Sequence, residues 1–272
     1  MKKAFALILA LVMSLSLLSA CSRSDTGSNS GPGPDADGAK VFRLGVEAEF
    51  TSMSPLVGGQ VGYSTVFANG IYEPLFARDS DGNIVGRLAT DYEWKDDNTL
   101  VINLREGVTY HNGNPFTADD VLFSLGLYYS NPQYFNRLQW CDFDNSYADG
   151  DYTVVIKTTA FSATLVGNLT SELMMIMDKE WYESLNGNID RDANGTGPYK
   201  LKAWNMGTDF EVVRNEDYWG GNNCYYDEIH VVFYNDATTS VLEYETGALD
   251  AVYVQNATDI ETLLSGGMKD TW

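Results

Sequence analysis

Two histidines, three cysteines and 38 carboxylates are the side chains of this 272-residue chain with the widest chemistry. His111 stands just before Asn112-Gly113, and His230 falls in an alternating run. Neither has a metal-ligand partner at i+3 or i+4, the spacing that places two donors on one helix face. No Gly-x-Ser-x-Gly elbow and no Walker loop occurs. Gly195-Thr196-Gly197 is followed by Pro198 and a strand pattern, whereas a dinucleotide fingerprint opens a helix. Pro198 fixes φ beside Gly197, which makes a rigid corner the better account. The acids are scattered, as on a solvated surface. These residue types therefore indicate binding without catalysis, and neither a metal nor a cofactor is expected. A formal charge of −21 argues against nucleic acid and against docking on anionic lipid through a basic face.

Binding chemistry has other candidates. Val57-Gly58-Gly59-Gln60 is either a plain glycine turn or a loop whose backbone N–H and C=O groups a ligand can approach closely. Met174, Met175 and Met177 are either a soft binding surface or, as is commoner in an apolar run, core filler. Aromatics make up 13% of the chain, more than a core of this size needs. Cys141 and Cys224 leave a disulfide open in an oxidising compartment, since nothing in the sequence fixes their distance.

The elements that must position these residues centre on one stretch. Thr99 to Leu104 alternates as a half-buried strand. Gly107, Asn112 and Gly113 supply the turns of a compact loop. Thr117 reads as an N-cap, with Asp119 and Asp120 in the first turn of a helix running to Ser130. Before it come a strand from Val41 to Val46, a short helix from Ser64 to Tyr72 stopped by Pro74, a hairpin about Asp79-Ser80-Asp81-Gly82, and a strand from Leu88 to Trp94. After it, strands at 142–148 and 152–158 pair across Asp149-Gly150. Helices are expected at 160–169 and, capped by Asp178, through Leu185, around an apolar run of ambiguous type at 173–177. Strands follow at 200–204, 210–214 and 227–234, then a helix from Ala237 to Tyr244 ended near Gly247, then a strand at 249–253. This β-α-β order suggests a parallel sheet and a mixed α/β (α+β) fold.

The start of the chain carries an address. Lys2 and Lys3 precede an apolar run from Ala4 to Leu18, too short for a comfortable membrane span. It ends in Leu18-Ser19-Ala20-Cys21, which looks like a bacterial lipobox. The expectation is a signal peptide at 1–20, a lipid on Cys21 and a Ser/Gly/Asp/Pro-rich tether at 21–40 that cannot bury enough surface to order itself. The folded part is expected at 41–272.

Leu104-Arg105-Glu106-Gly107-Val108, His111-Asn112-Gly113 and Phe116-Thr117-Ala118-Asp119-Asp120-Val121 together resemble the solute-binding proteins of peptide-type ABC transporters, the family of oligopeptide, dipeptide and nickel binders. Gly195-Thr196-Gly197-Pro198-Tyr199 and Arg214-Asn215 with Tyr218-Trp219 are similar to two further elements of it. Ser54-Pro55, Gly86 and Tyr92 depart from the family's usual residues. The resemblance implies a periplasmic-binding-protein-like clamshell, of which this chain has about the first half, since members are usually about twice as long. It implies capture of a peptide or similar small solute for uptake, permease subunits as partners, and a lipid-anchored position outside the cytoplasm. It places Gly58, Gly59, Gln60, Tyr253, Val254 and Gln255 along the cleft, and it implies weak solute binding by 41–272 without the second lobe. A surface lipoprotein that binds a protein or glycan is a reading of another class; a carbohydrate hydrolase is a third, without an identifiable acid pair.

Overall fold

The structure, a computed structural model, describes residues 38–57, 70–171, 173–221, 224–254 and 256–265. The segments at 1–20 and 21–37, Cys21, most of the 64–72 helix, Gly58, Gly59, Gln60 and Gln255 lie outside them. The described residues form one compact unit.

Two main sheets carry the fold. The larger has five strands: β1 (Val41–Val46), β8 (Tyr199–Asn205), β9 (Asp209–Arg214), β10 (Glu228–Phe233) and β11 (Ala251–Tyr253), in the order β11-β1-β10-β9-β8. β1 runs parallel to both β10 and β11, while β9 and β8 are antiparallel additions. The sheet is therefore mixed rather than parallel throughout. Helix α5 (Ala237–Glu245) makes the crossover from β10 to β11, and Gly247, at φ +79°, ends it as expected. The second sheet has four antiparallel strands, β4 (Ala89–Asp96), β5 (Thr99–Leu104), β6 (Cys141–Ala148) and β7 (Thr153–Thr158), in the order β4-β5-β7-β6. A small hairpin of β2 (Phe76–Arg78) and β3 (Ile84–Gly86) precedes it, turning at Gly82.

Helix α1 (Ala118–Ser130) packs beside the four-stranded sheet and buries Val121, Ser124, Leu125 and Tyr128. Its entry is held by Asp120, whose Oδ2 accepts the Thr117 N–H at 2.9 Å and the Thr117 hydroxyl at 3.2 Å. Short helices α2 (Phe135–Leu138), α3 (Leu165–Asn168), α4 (Lys179–Ser184) and the later α6 (Ala257–Ser265) complete the described set. Where a helix over 160–169 was expected, only the single turn α3 forms. Ser162 and Thr164 bond to each other at its start, and such hydroxyls compete with the helical ladder.

The apolar run 173–177 forms no helix or strand. Met174, Met175, Ile176 and Met177 are buried core. Its backbone is satisfied from outside: Tyr128 OH donates to the Met175 carbonyl, Ser124 Oγ accepts the Met177 N–H, and Ile176 N–H donates to the Glu73 carbonyl. The three methionines are thus filler and not an exposed binding surface. Cys141 and Cys224 are both free. Cys141 lies on the four-stranded sheet, where burial pushes its thiol up to about 12, and Cys224 lies between β9 and β10 of the other sheet.

Candidate functional site

The residues with recognisable spacing converge on buried carboxylates. Glu73, almost fully buried, stands before Pro74 and accepts four hydrogen bonds. Arg87 Nε (2.7 Å) and Tyr218 OH (2.8 Å) reach Oε1; Thr196 Oγ1 and Trp219 Nε1 (both 2.8 Å) reach Oε2. The guanidinium of Arg105 lies 4.5 Å over the Trp219 ring. His111 Nε2 meets the Gly197 carbonyl at 2.9 Å, and Asn215 Nδ2 meets the same oxygen at 3.1 Å. Asp178 serves the other side. Its Oδ2 takes the amides of Asn112, Asn114 and Asn194, each at 2.9 Å, while Oδ1 caps α4 through Trp181 N–H. These motifs join the two sheets, and the carboxylates that anchor them already have their donors. They build the frame.

Gly195 and Gly197 show why that corner is glycine. A Cβ at Gly195 would stand 1.9 Å from the Ile71 carbonyl oxygen, and one at Gly197 would stand 2.4 Å from that of Gly70. The backbone at 70–72 lies directly against them, with Gly197 N–H donating to Ile71 O and Tyr199 N–H to Gly70 O.

His111 has its second ring nitrogen, Nδ1, buried without a hydrogen-bond partner among the described residues. Burial holds its pKa down to about 4, helped slightly by Lys200 and opposed by the Gly197 contact. The neutral ring, with its proton on Nε2 toward the carbonyl, is the form this geometry accepts. His230 is placed differently: it meets Glu228 on its own strand and Glu211 across β9, neighbours that helical spacing does not disclose.

The three parallel strands end together. Val46 pairs in register with Phe233 and with Tyr253, so the carboxyl ends of β1, β10 and β11 are level. In open α/β sheets, ligands sit outside the carboxyl ends of such strands. Glu47, Glu49 and Phe50 follow β1, Tyr234 follows β10, and Val254 follows β11. Tyr253 and Val254 are half-buried there. Phe50 is buried against Trp204, Phe210 and Phe233. Glu49 takes the Trp204 indole N–H at 2.8 Å and the Gly207 N–H at 3.0 Å, while Arg191 stacks on that indole at 4.3 Å. Glu47 Oε1 is buried and has no partner among the described residues. Sequence reasoning singled out Tyr253 and Val254 but passed over Glu47, whose only signal was its place directly after β1. Glu47 thus carries an acceptor without a donor among the described residues, one position past Val46, which is in register with Phe233 and Tyr253.

Residues 83–271 match the family model described as bacterial extracellular solute-binding proteins, family 5 Middle. The chain belongs to this family. Among family relatives, the glutathione-binding protein GsiB of Pectobacterium atrosepticum is 34% identical over 188 residues, covering 66% of this chain and 35% of that protein. The oligopeptide-binding protein OppA of Bacillus subtilis is 25% identical over 275 residues, 92% of this chain and 49% of that protein. A crystal structure of a nickel ABC transporter from Bacillus halodurans superposes with a TM-score of 0.69 at 28% identity, covering 83% of this chain and 45% of that one. The chain thus spans a third to a half of the length of these relatives. The mixed α/β fold expected from the motifs is shared with solved transporter-associated binding proteins, and the two relatives named here carry the names of binding proteins. No described helix is long and apolar enough to cross a membrane.

Proposed function

We propose that this family-5 chain forms one wall of an extracytoplasmic solute receptor for an ABC importer, and that the solute is a short peptide or a similar small molecule with a free amino group. The observation that carries the reading is the level set of strand ends bearing Tyr253, Val254 and the unpartnered Glu47 oxygen, in a chain of this family. A buried acceptor without a donor costs free energy until a ligand supplies one. Gly58, Gly59, Gln60 and Gln255 complete the wall with backbone and amide groups in this reading. Lipid attachment at Cys21, after removal of 1–20, tethers the domain through 21–40 beside the permease subunits. Hinge closure against a second lobe supplies the opposite wall, so this wall alone binds weakly.

Saturation-transfer NMR on the purified chain with a mixture of di-, tri- and tetrapeptides tests this, because it registers weak contacts. Transfer to the peptides is expected, reduced by Glu47→Gln and by Tyr253→Ala. No transfer to any peptide, or transfer that neither substitution lowers, overturns it.

A further inference from the structure

On the outer face of β8, β9 and β10, three potential metal donors meet. Strand alternation turns Phe210, Val212 and Val231 into the core and leaves Glu211, Glu228 and His230 on the opposite face. Glu211 and His230 are direct cross-strand partners, and Glu228 lies two residues before His230 on the same face. His230 Nε2 stands 2.8 Å from Glu228 Oε2 and 3.7 Å from Glu211 Oε2, and the three donor atoms all lie within 4.8 Å of one another. A tetrahedral ion with bonds of about 2.0–2.2 Å needs donors a little over 3 Å apart, so these three require only small side-chain shifts. All three are partly accessible, with a fifth to a quarter of each side chain exposed.

A cation already sits there. Lys202 Nζ lies 2.7 Å from Glu228 Oε2 and 3.2 Å from Glu211 Oε2, and it reaches in from β8 beside the register shift between Leu201 and Ala203. Lys202 is the most exposed member at 42%, on a flexible stem that can swing into water. Arg43, the neighbour of His230 on β1, has its guanidinium turned to Asp250 at 3.8 Å.

We propose that Glu211, Glu228 and His230 form a divalent transition-metal site in which Lys202 is the resident competitor. Two carboxylates and one imidazole suit zinc-like ions and leave a fourth position for water, whereas Mg2+ gains nothing from the imidazole. Binding would displace the ammonium and clamp β9 to β10.

The test is calorimetric titration of Zn2+ into the purified chain in a millimolar Mg2+ background, which occupies carboxylate-only sites. One Zn2+ per chain is expected, weakened at least tenfold in His230→Ala and in Glu211→Gln and tightened at least threefold in Lys202→Met. Thermal melts without metal check that each variant is folded, and His230→Gln replaces any that is not. The Lys202→Met arm separates the proposal from a plain ion-pair network, in which losing the lysine would not favour zinc. Zinc binding that is absent, unchanged by His230→Ala, or not tightened by Lys202→Met overturns the proposal.

Discussion

The Glu73 carboxylate accepts the indole N–H of Trp219 at 2.8 Å across 146 residues of chain. It joins the segment before Pro74 to the aromatic pair after β9, and the same group takes Thr196, Tyr218 and Arg87. Glu73→Gln keeps the shape but removes the charge and turns an amide donor toward groups that are themselves donors. Breaking a buried pair in this way costs about 3–5 kcal/mol. Urea unfolding is expected to show that loss; a stability within about 1 kcal/mol of the parent would mean the cluster is not anchored by the carboxylate.

Asp120 links two helix starts, since Oδ2 serves Thr117 and Oδ1 accepts the Lys179 N–H at 2.9 Å. Asp120→Ala is expected to cost about 2–3 kcal/mol, combining a lost cap with a buried unsatisfied N–H. Thr117→Ala should cost about 1 kcal/mol or less, and the double variant should fall short of the sum because the two share a bond. Strict additivity in chemical denaturation would show that the two residues act separately.

The glycines of this chain divide by what surrounds them. Gly195→Ala places a Cβ against the Ile71 carbonyl and is expected to lose at least about 3 kcal/mol or to prevent folding. Gly107, at φ +76° with open space around it, should lose only about 1–2 kcal/mol as alanine. Thermal denaturation ranks the pair, and equal losses would contradict the close backbone approach.

His111 sets an acid limit. Its folded pKa of about 4 lies below the unfolded value near 6.5, so its contribution is complete above about pH 6.5. That contribution is lost as pH falls toward 4, about 3 kcal/mol in all. Asp120, whose carboxyl burial raises, works in the opposite sense, its cost easing as pH falls. The isolating experiment compares the parent with His111→Gln: the stability difference should shrink between pH 6.5 and 4. A pH-independent difference would show that the ring does not titrate in this environment.

Processing at Cys21 is read from the residues before it. Cys21→Ala is expected to abolish labelling by a radioactive or alkyne fatty acid and to release the domain from membranes. Persistent labelling of the variant would move the anchor elsewhere.

The frame was largely legible in the sequence. Strands with alternating residues, the 118–130 helix with its acidic first turn, the Asp-Gly hairpin and the crossover before β11 each follow from local rules, and each stands where those rules put it. Three kinds of feature were not legible. Residues 160–169 have helical composition, but hydroxyls at 162 and 164 confine them to one turn. Glu73 and the cluster of Glu211, Glu228 and His230 draw their meaning from neighbours on other elements, which no spacing along the chain reveals. Glu47 was hidden for a third reason: one acid among 38 is unremarked until its oxygen is seen buried without a donor.

The placement of β1 bears on the order in which the chain can fold. The four-stranded sheet closes over short separations, as in the Asn98 to Thr158 contact 60 residues apart. β1 must instead wait for β10, with Lys40 and Asp227 meeting across 187 residues. Loop closure over that distance is slow relative to local pairing. During synthesis the middle of the chain can therefore assemble first, while an apolar strand near the amino end stays unpaired until its β10 partner, 187 residues further on, has followed. That interval is when the segment is most exposed to wrong partners, and a chaperone that shields residues 41–46 would act on the step that commits the larger sheet.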